Sequence, residues 1–202
     1  MEDVRFRALL SRAAWDALPA DIQRRFSKRA ADERATLYIG VITDMRRNRA
    51  GRWLARALKL VGAPLPLADD CGVPSVVTVT EDFASGGQIW SRLYSNRHGF
   101  PQVIHSSKRF SGPTGLEEHL GHGLSMALSI RAEPDALVFE SAGYRLRIGR
   151  LSLSLPRWMS PGAVTVVHRD KGAGAFEFSL RLVSPIFGEM IYQSGLFRED
   201  AR

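Results

Sequence analysis

Hydrophobic and polar residues alternate with a period of two along most of the chain beyond Val73. This period is typical of β-strands that bury one face. The clearest example is AFEFSLRLV (175–183), which places two Phe and two Leu on one face and Glu, Ser and Arg on the other. Turn-forming residues, such as Gly86-Gly87 and KGAG (171–174), separate these segments. Short strands between regularly spaced turns predict an antiparallel sheet that curls or closes.

The first 60 residues mostly follow a helical period. Apolar residues recur three and four positions apart after Asp3, which is placed to cap a helix. Pro19 ends this helix and opens a shorter one, because proline is tolerated only in the first turn. The segment TLYIGVIT (36–43) is rich in β-forming residues and predicts the first strand.

The segment NRAGRWLARALKLVG (48–62) predicts an amphipathic helix over residues 49–61, with Asn48 as its N-cap and Gly62 as its stop. At 100° per residue, its cations share one narrow arc. One interpretation packs Trp53 and the other apolar residues against the chain's own sheet and turns the cations to solvent. The other makes the arc a surface for a membrane or a protein partner. The cations concerned are Arg49, Arg52, Arg56 and Lys59.

These patterns together predict an α+β fold. A basic helical N-terminal segment would pack on a strongly curved antiparallel β-sheet, or on a calycin-like barrel or half-barrel, of about 8–10 strands. A helix-grip fold is the alternative. Residues 1–48 would form the helical segment with the first strand, and residues 49–202 the amphipathic helix with the curved sheet. We expect the two parts to make one structural unit.

Composition and charge narrow the class of protein. A hydrophobic fraction of 45% and a charged fraction of 24% are ordinary for a globular domain. The single cysteine, Cys71, excludes an intramolecular disulfide. The start of the chain carries acids and an arginine within its apolar pattern, unlike a signal peptide, so we expect a bacterial cytoplasmic protein. The net charge is +7, and residues 1–60 hold all of the excess, with 14 Lys/Arg against 7 Asp/Glu.

Four segments carry a family resemblance, in the same order and spacing. They are the W-x-R of Trp90 and Arg92, RFSGPTGLEEHLG (109–121), LPRWMSPG (155–162) and FSLRLVSPIFGEMIYQSGLF (178–197). With GRWLARALKLVGAPLP (51–66), they resemble the bacterial family of domains of unknown function numbered 4166, over roughly residues 50–198.

The resemblance brings no established activity. Members of that family occur alone and as an extra domain on reductase-like proteins similar to saccharopine dehydrogenase. It therefore implies a ligand-holding or accessory role, with a reductase-like partner by analogy. Gln193 stands where the family often carries a Tyr, so a tyrosine-dependent role at that position is not implied here.

Two segments hold the candidate site. Trp90, Arg92 and Tyr94 share one strand face, which either lines a pocket for an anionic headgroup or lies on a solvated outer wall. In the second segment, Thr114 is placed to cap a short helix that Gly121 ends. The predicted ligand-binding residues are Trp90, Arg92, Tyr94, Arg109, Glu118 and His119.

The leading hypothesis is a binding module for an amphipathic or anionic small molecule or lipid, with a cavity of several hundred Å³ that Arg92 reaches. An alternative is an enzyme that uses Glu118 or Glu117 with His105, His119 or His168 as an acid–base pair. Another is a peripheral membrane or protein-docking module that uses helix 49–61, with the membrane surface less favoured. We assign no catalytic residue, metal or cofactor, and we predict no nucleic-acid binding, because no recognition motif accompanies the basic arc.

Overall fold

The computed structural model describes residues 3–28, 34–60 and 65–200. The described residues contain four α-helices and one 3₁₀ turn. They are α1 (Arg5–Ala8), α2 (Arg12–Asp16), α3 (Ala20–Phe26), α4 (Arg49–Leu60) and the turn Arg157–Met159. The strands are β1 (Thr36–Arg47), β2 (Pro74–Asp82), β3 (Gly87–Tyr94), β4 (Gln102–Arg109), β5 (Glu117–Gly121), β6 (Leu124–Glu133), β7 (Ala136–Ile148), β8 (Leu151–Ser154), β9 (Ala163–Gly172), β10 (Ala175–Ser184) and β11 (Gly188–Glu199).

The strands form a closed antiparallel barrel. Consecutive strands pair from β1 to β7, β7 pairs with β9, and β9, β10 and β11 follow in order. The pairing of β11 with β1 closes the ring, which within the described residues has ten strands. The remaining strand, β8, pairs with β7 alone among the described strands and forms a hairpin with it outside the ring. Of the predicted forms, a curved antiparallel sheet, a half-barrel or a barrel, the structure has the barrel, and it is closed.

Because neighbouring strands run in opposite directions, the connections divide between two ends of the barrel. We call the end at which β1 begins the plugged end and the end at which β1 finishes the mouth end. The loops β2–β3, β4–β5, β6–β7 and β9–β10 lie at the plugged end. Helix α4, the loops β3–β4 and β10–β11, and the segment from β7 to β9 lie at the mouth end.

Helices α1 to α3 cover the plugged end with aromatic side chains. Phe6 and Phe26 are almost completely buried, with ring centroids 5.2 Å apart, and Phe26 lies 5.6 Å from Phe139 of β7. Trp15 and Ile22 join the same cluster. Each such side chain contributes about 1.5–3 kcal/mol when fully buried, so the helices hold this end shut.

Helix α4 is seated on the mouth end. The Asn48 Oδ1 atom accepts a hydrogen bond of 2.8 Å from the Gly51 amide, which confirms the predicted N-cap. Ala50 and Leu54 pack on the barrel core, and Leu58 lines the cavity below the helix. The predicted end of this helix, at 61–62, lies outside the described residues. No helix of the described residues is long and apolar enough to cross a membrane.

Gly51 permits the close approach of α4 to β11. A Cβ atom at this position would lie 2.1 Å from the Met190 carbonyl oxygen. We expect Gly51→Ala to destabilise the protein by a net of about 1–2 kcal/mol, since overpacking outweighs the better helix propensity of alanine. Urea unfolding measures this change. The exposed substitution Arg56→Ala in the same helix should stay within about 0.5 kcal/mol of the parent, and equal effects of the two would contradict this seating.

The predicted α+β class with a helical N-terminal segment is confirmed only in part, because the helices are few and short. The long first helix is divided into α1 and α2 by Ser11, whose extended backbone starts α2 and whose Oγ accepts a hydrogen bond from the Ala14 amide. Asp3 does not cap a long helix. Its carboxylate instead accepts hydrogen bonds from the backbone and the guanidinium of Arg5.

The predicted helix after Thr114 is wrong, since residues 117–121 form β5. Burial alternates along this segment: Leu116 and Glu118 are buried, whereas Glu117 and His119 are half-buried. Such alternation is typical of a strand. His122 and Gly123 both have positive φ angles and make the tight turn to β6.

Candidate ligand cavity

The inward faces of β3, β4 and β5 bring charged residues into the barrel. Alternation along β3 turns Arg92 inward, and alternation along β4 does the same for Ser106 and Lys108. The register then places Lys108 opposite Glu118 of β5. We call Arg92, Ser106, Lys108 and Glu118 the charged cluster.

Hydrogen bonds join the four members of the charged cluster. The Glu118 carboxylate accepts from Ser106 Oγ at 2.6 Å and from Lys108 Nζ at 3.1 Å. Arg92 donates to Ser106 Oγ at 3.0 Å, and its Nη2 lies 3.5 Å from Glu118 Oε1. The side chains of Lys108 and Glu118 are 3% and 8% exposed. A buried lysine and a mostly buried arginine therefore share one buried carboxylate.

Burial and neighbouring charges act against each other in this cluster. Burial alone would raise the pKa of Glu118, but Lys108, Arg92 and the hydrogen bond from Ser106 outweigh it and lower the pKa to about 2. Burial lowers the pKa of Lys108; Arg92 lowers it further, while Glu118 opposes the shift. Glu118 is thus an anion at neutral pH, and the formal charge of the cluster, with Arg92 and Lys108 both protonated, is +1.

Aromatic rings surround the plugged side of the cluster. Lys108 Nζ lies 5.0 Å from the centre of the Trp90 ring and 5.5 Å from that of Phe139, within cation–π range. His168 of β9 packs among these rings, 5.9 Å from Trp90 and 5.8 Å from Phe139. Its Nδ1 is buried and has no hydrogen-bond partner among the described residues. Burial, followed by the positive charges of Arg25, Lys108 and Arg92, lowers the pKa of His168 well below 6.5.

A cavity of about 110 Å³ lies between the charged cluster and α4. The cluster lies toward its plugged side, since Lys108 and Glu118 stand near the plugged ends of their strands. Leu58 and Pro161 line it from the mouth end. Apolar residues make most of the wall between them, among them Ile104, Met126, Val164, Phe178 and Leu180. The cavity is smaller than the several hundred Å³ predicted from the sequence.

A comparison with known families matches residues 18–197 to a family described as Domain of unknown function (DUF4166). The chain belongs to this family. The match starts earlier than the resemblance seen in the sequence, so α3 and β1 belong to the DUF4166 domain as well. No curated protein and no solved structure matches the chain.

Four of the predicted ligand-binding residues lie together inside the DUF4166 barrel. Arg92, Tyr94 and Glu118 line the cavity, and Trp90 is buried beside Arg92 and lines a smaller void next to it. The face of Trp90, Arg92 and Tyr94 is therefore the inner one and not a solvated outer wall. Charged and aromatic side chains therefore line the same part of the barrel interior.

Arg109 and His119 lie apart from this group. Arg109 Nε donates to Asp82 at 2.9 Å, and His119 is paired in register with Ser107, on the sheet face opposite Lys108 and Glu118. Burial, followed by the charge of Arg109, lowers the pKa of His119.

Sequence reasoning missed Lys108 and Ser106. Alternation along QVIHSSKRF (102–110) would have shown that both share a face with Ile104. The pairing of that face with Trp90 and Arg92 follows only from the register of β3 with β4. His168 was named only as one of three partners for a catalytic carboxylate, and its burial among rings had no local signal.

The acid–base pair of the enzyme hypothesis is not assembled in the described residues. Glu118 interacts with Ser106, Lys108 and Arg92, and Glu117 forms an ion pair of 3.1 Å with Arg145. His105 bonds to Ser91 instead. Within the part of the chain that is described, no three His, Cys, Asp or Glu side chains converge as metal ligands would.

The basic arc of α4 faces outward, as predicted, but Trp53 does not pack against the sheet. Its side chain is 71% exposed and accompanies the exposed cations. Ala50, Leu54 and Leu58 form the inner face of the helix. The cations Arg49, Arg52, Arg56 and Lys59 are exposed, and Arg52 lies 3.7 Å from Asp69.

Proposed function

We propose that this domain binds an amphipathic anion, either a small molecule or a lipid, with the anionic group at the charged cluster and the apolar part toward the mouth end. The observation that carries the proposal is the excess of buried positive charge: Arg92 and Lys108 face one carboxylate, Glu118. A buried charge without a counter-ion is costly, so an anion bound in the cavity would offset the excess positive charge.

The shape of the cavity supports an oriented ligand. The charges lie on its plugged side, and apolar side chains line the rest of it up to α4. Pockets for drug-sized ligands typically have volumes of roughly 300–1000 Å³, larger than this one. We infer that the anionic group and the adjoining apolar atoms enter the cavity, while a longer chain extends past Leu58 and Pro161 at the mouth.

Matched probes test the role of charge. Octanoate and 1-octanol share one chain and differ in the head group, so calorimetry should show tighter binding of octanoate. Arg92→Met should weaken octanoate binding about 10- to 100-fold, the value of a hydrogen bond to a charged group, and should leave 1-octanol unaffected. Arg131→Met, which removes an exposed cation on the outer wall, is the control. Equal affinities for the two probes, or an unchanged affinity in Arg92→Met, would remove the basis of the proposal.

Native mass spectrometry of protein purified from a bacterial host addresses the natural ligand. A bound anion with an apolar chain is the expected result, and its loss from Arg92→Met would place it at the charged cluster. The accessory role beside a reductase-like protein, which the family resemblance implies, remains a prediction.

A further inference from the structure

Large apolar side chains are exposed around the mouth end. Phe100 in the β3–β4 loop is 94% exposed, Trp158 in the 3₁₀ turn 83%, Ile186 in the β10–β11 loop 81% and Trp53 in α4 71%. Phe187, beside Ile186, is also exposed. We call these five residues the mouth rim. They come from four separate connections that the barrel brings to one end. Single exposed apolar residues are common on protein surfaces, but several at one end mark a site of interaction.

The helix that carries Trp53 is also strongly basic on its exposed face. Residues 49–60 contain four cations and no acidic residue. Among the described residues, the ion pair of Arg52 with Asp69, at 3.7 Å, is the one link between these cations and a carboxylate. The mouth end therefore combines exposed aromatic rings with positive charge that nearby acids scarcely neutralise.

We propose that the mouth end docks onto the surface of a bilayer that contains anionic lipid. Tryptophan favours the membrane–water interface, where its ring lies among headgroups, and Arg and Lys nearby are attracted to anionic phosphates. Protein interfaces also use aromatic residues and arginine. The cations of α4 beside the mouth rim, however, have one carboxylate partner among the described residues, and this uncompensated charge favours an anionic lipid surface. The docking does not depend on the proposed cavity ligand, but it would place the cavity mouth against the lipid.

Vesicle co-sedimentation of the full chain tests the attraction between the cations of α4 and anionic lipid. The protein should bind phosphatidylcholine vesicles with about one-third phosphatidylserine, and binding should weaken steeply as salt screens the charges. Arg52→Gln/Arg56→Gln should lower the partition coefficient about 30-fold, at about fivefold per cation. The matched control, Arg7→Gln/Arg12→Gln, removes two exposed cations at the plugged end and should bind like the parent.

Tryptophan quenching tests the orientation. Trp15 and Trp90 are buried, while Trp53 and Trp158 are exposed on the mouth rim. Brominated lipid should therefore quench the emission of the parent protein, and Trp53→Phe/Trp158→Phe should remove that quenching.

A second pair of variants tests the contribution of the exposed rings of the mouth rim to vesicle binding. Trp53→Ala/Trp158→Ala should reduce binding at least tenfold, whereas Phe83→Ala, which removes an exposed ring at the plugged end, should not change it. Vesicle binding that does not depend on phosphatidylserine would overturn the proposal. Equal weakening of binding by Arg52→Gln/Arg56→Gln and by the control Arg7→Gln/Arg12→Gln would overturn it as well. The proposal would also be overturned if brominated lipid did not quench Trp53 and Trp158 while a protein or an RNA bound to the mouth rim.

Discussion

Glu118→Gln should destabilise the protein by about 3–5 kcal/mol, because it leaves Lys108 and Arg92 buried without an anion. In the folded barrel, the carboxylate interacts with both cations and with Ser106, and the neutral amide of the variant supplies no compensating charge at a site where Lys108 is only 3% exposed. Urea unfolding followed by tryptophan fluorescence measures the difference.

The matched control is Lys108→Met, which removes a cation and keeps the carboxylate paired with Arg92 and Ser106. It should cost no more than about 1–2 kcal/mol, since the formal charge of the cluster falls to zero while one hydrogen bond is lost. Equal costs for the two variants would show that the cluster does not carry excess positive charge.

His168 should make the protein lose stability as the pH falls below 6.5, with a slope that approaches about 1.4 kcal/mol per pH unit. The sign follows from the lowered pKa. The unfolded chain takes up a proton near the ordinary value of 6.5, while the folded protein takes it up only well below that value. Protons therefore favour the unfolded state throughout this window. Denaturation at several pH values measures the slope.

His168→Phe should remove most of this slope, because the new ring has no proton to bind and the aromatic cluster already surrounds the position. The control His105→Gln, on the outer wall, should keep the slope. Glu118 acts in a different window, since its stabilising contribution is complete above about pH 4.5 and is lost as the pH falls toward about 2. A slope that survives in His168→Phe would contradict the neutral, buried imidazole.

Much of the barrel could be predicted because its strands obey a local rule. In β10, Phe176 and Leu182 are buried and Phe178 and Leu180 line the cavity, as alternation along the segment requires. The first strand and the N-cap of α4 also followed from local residue preferences. Closure could not be predicted in this way, because it depends on the pairing of β1 with β11, which are distant in the sequence.

The errors have a common physical cause. In β5 the inward residues are Glu118 and Leu120. A search for strands that bury apolar side chains does not recognise a strand in which one of two inward residues is a carboxylate. Only Lys108, on a different strand, explains why a carboxylate is buried there. Trp53 is the converse case. An apolar residue on an amphipathic helix is expected to be buried, but Trp53 is exposed. The side of α4 that faces the barrel is set by the close approach of Gly51 to Met190, which the helix sequence alone does not show.

The pairing of the first strand with the last also sets the timing of folding. Tyr38 of β1 lies opposite Glu199 of β11, so the barrel cannot close during synthesis until nearly the whole described chain has left the ribosome. Folds dominated by such distant contacts typically complete folding in about milliseconds to seconds, more slowly than helical bundles. Until then, β1 and β10 each keep an unpaired edge, the kind of surface that invites aggregation. The nascent domain should therefore depend on chaperones more than its modest size suggests.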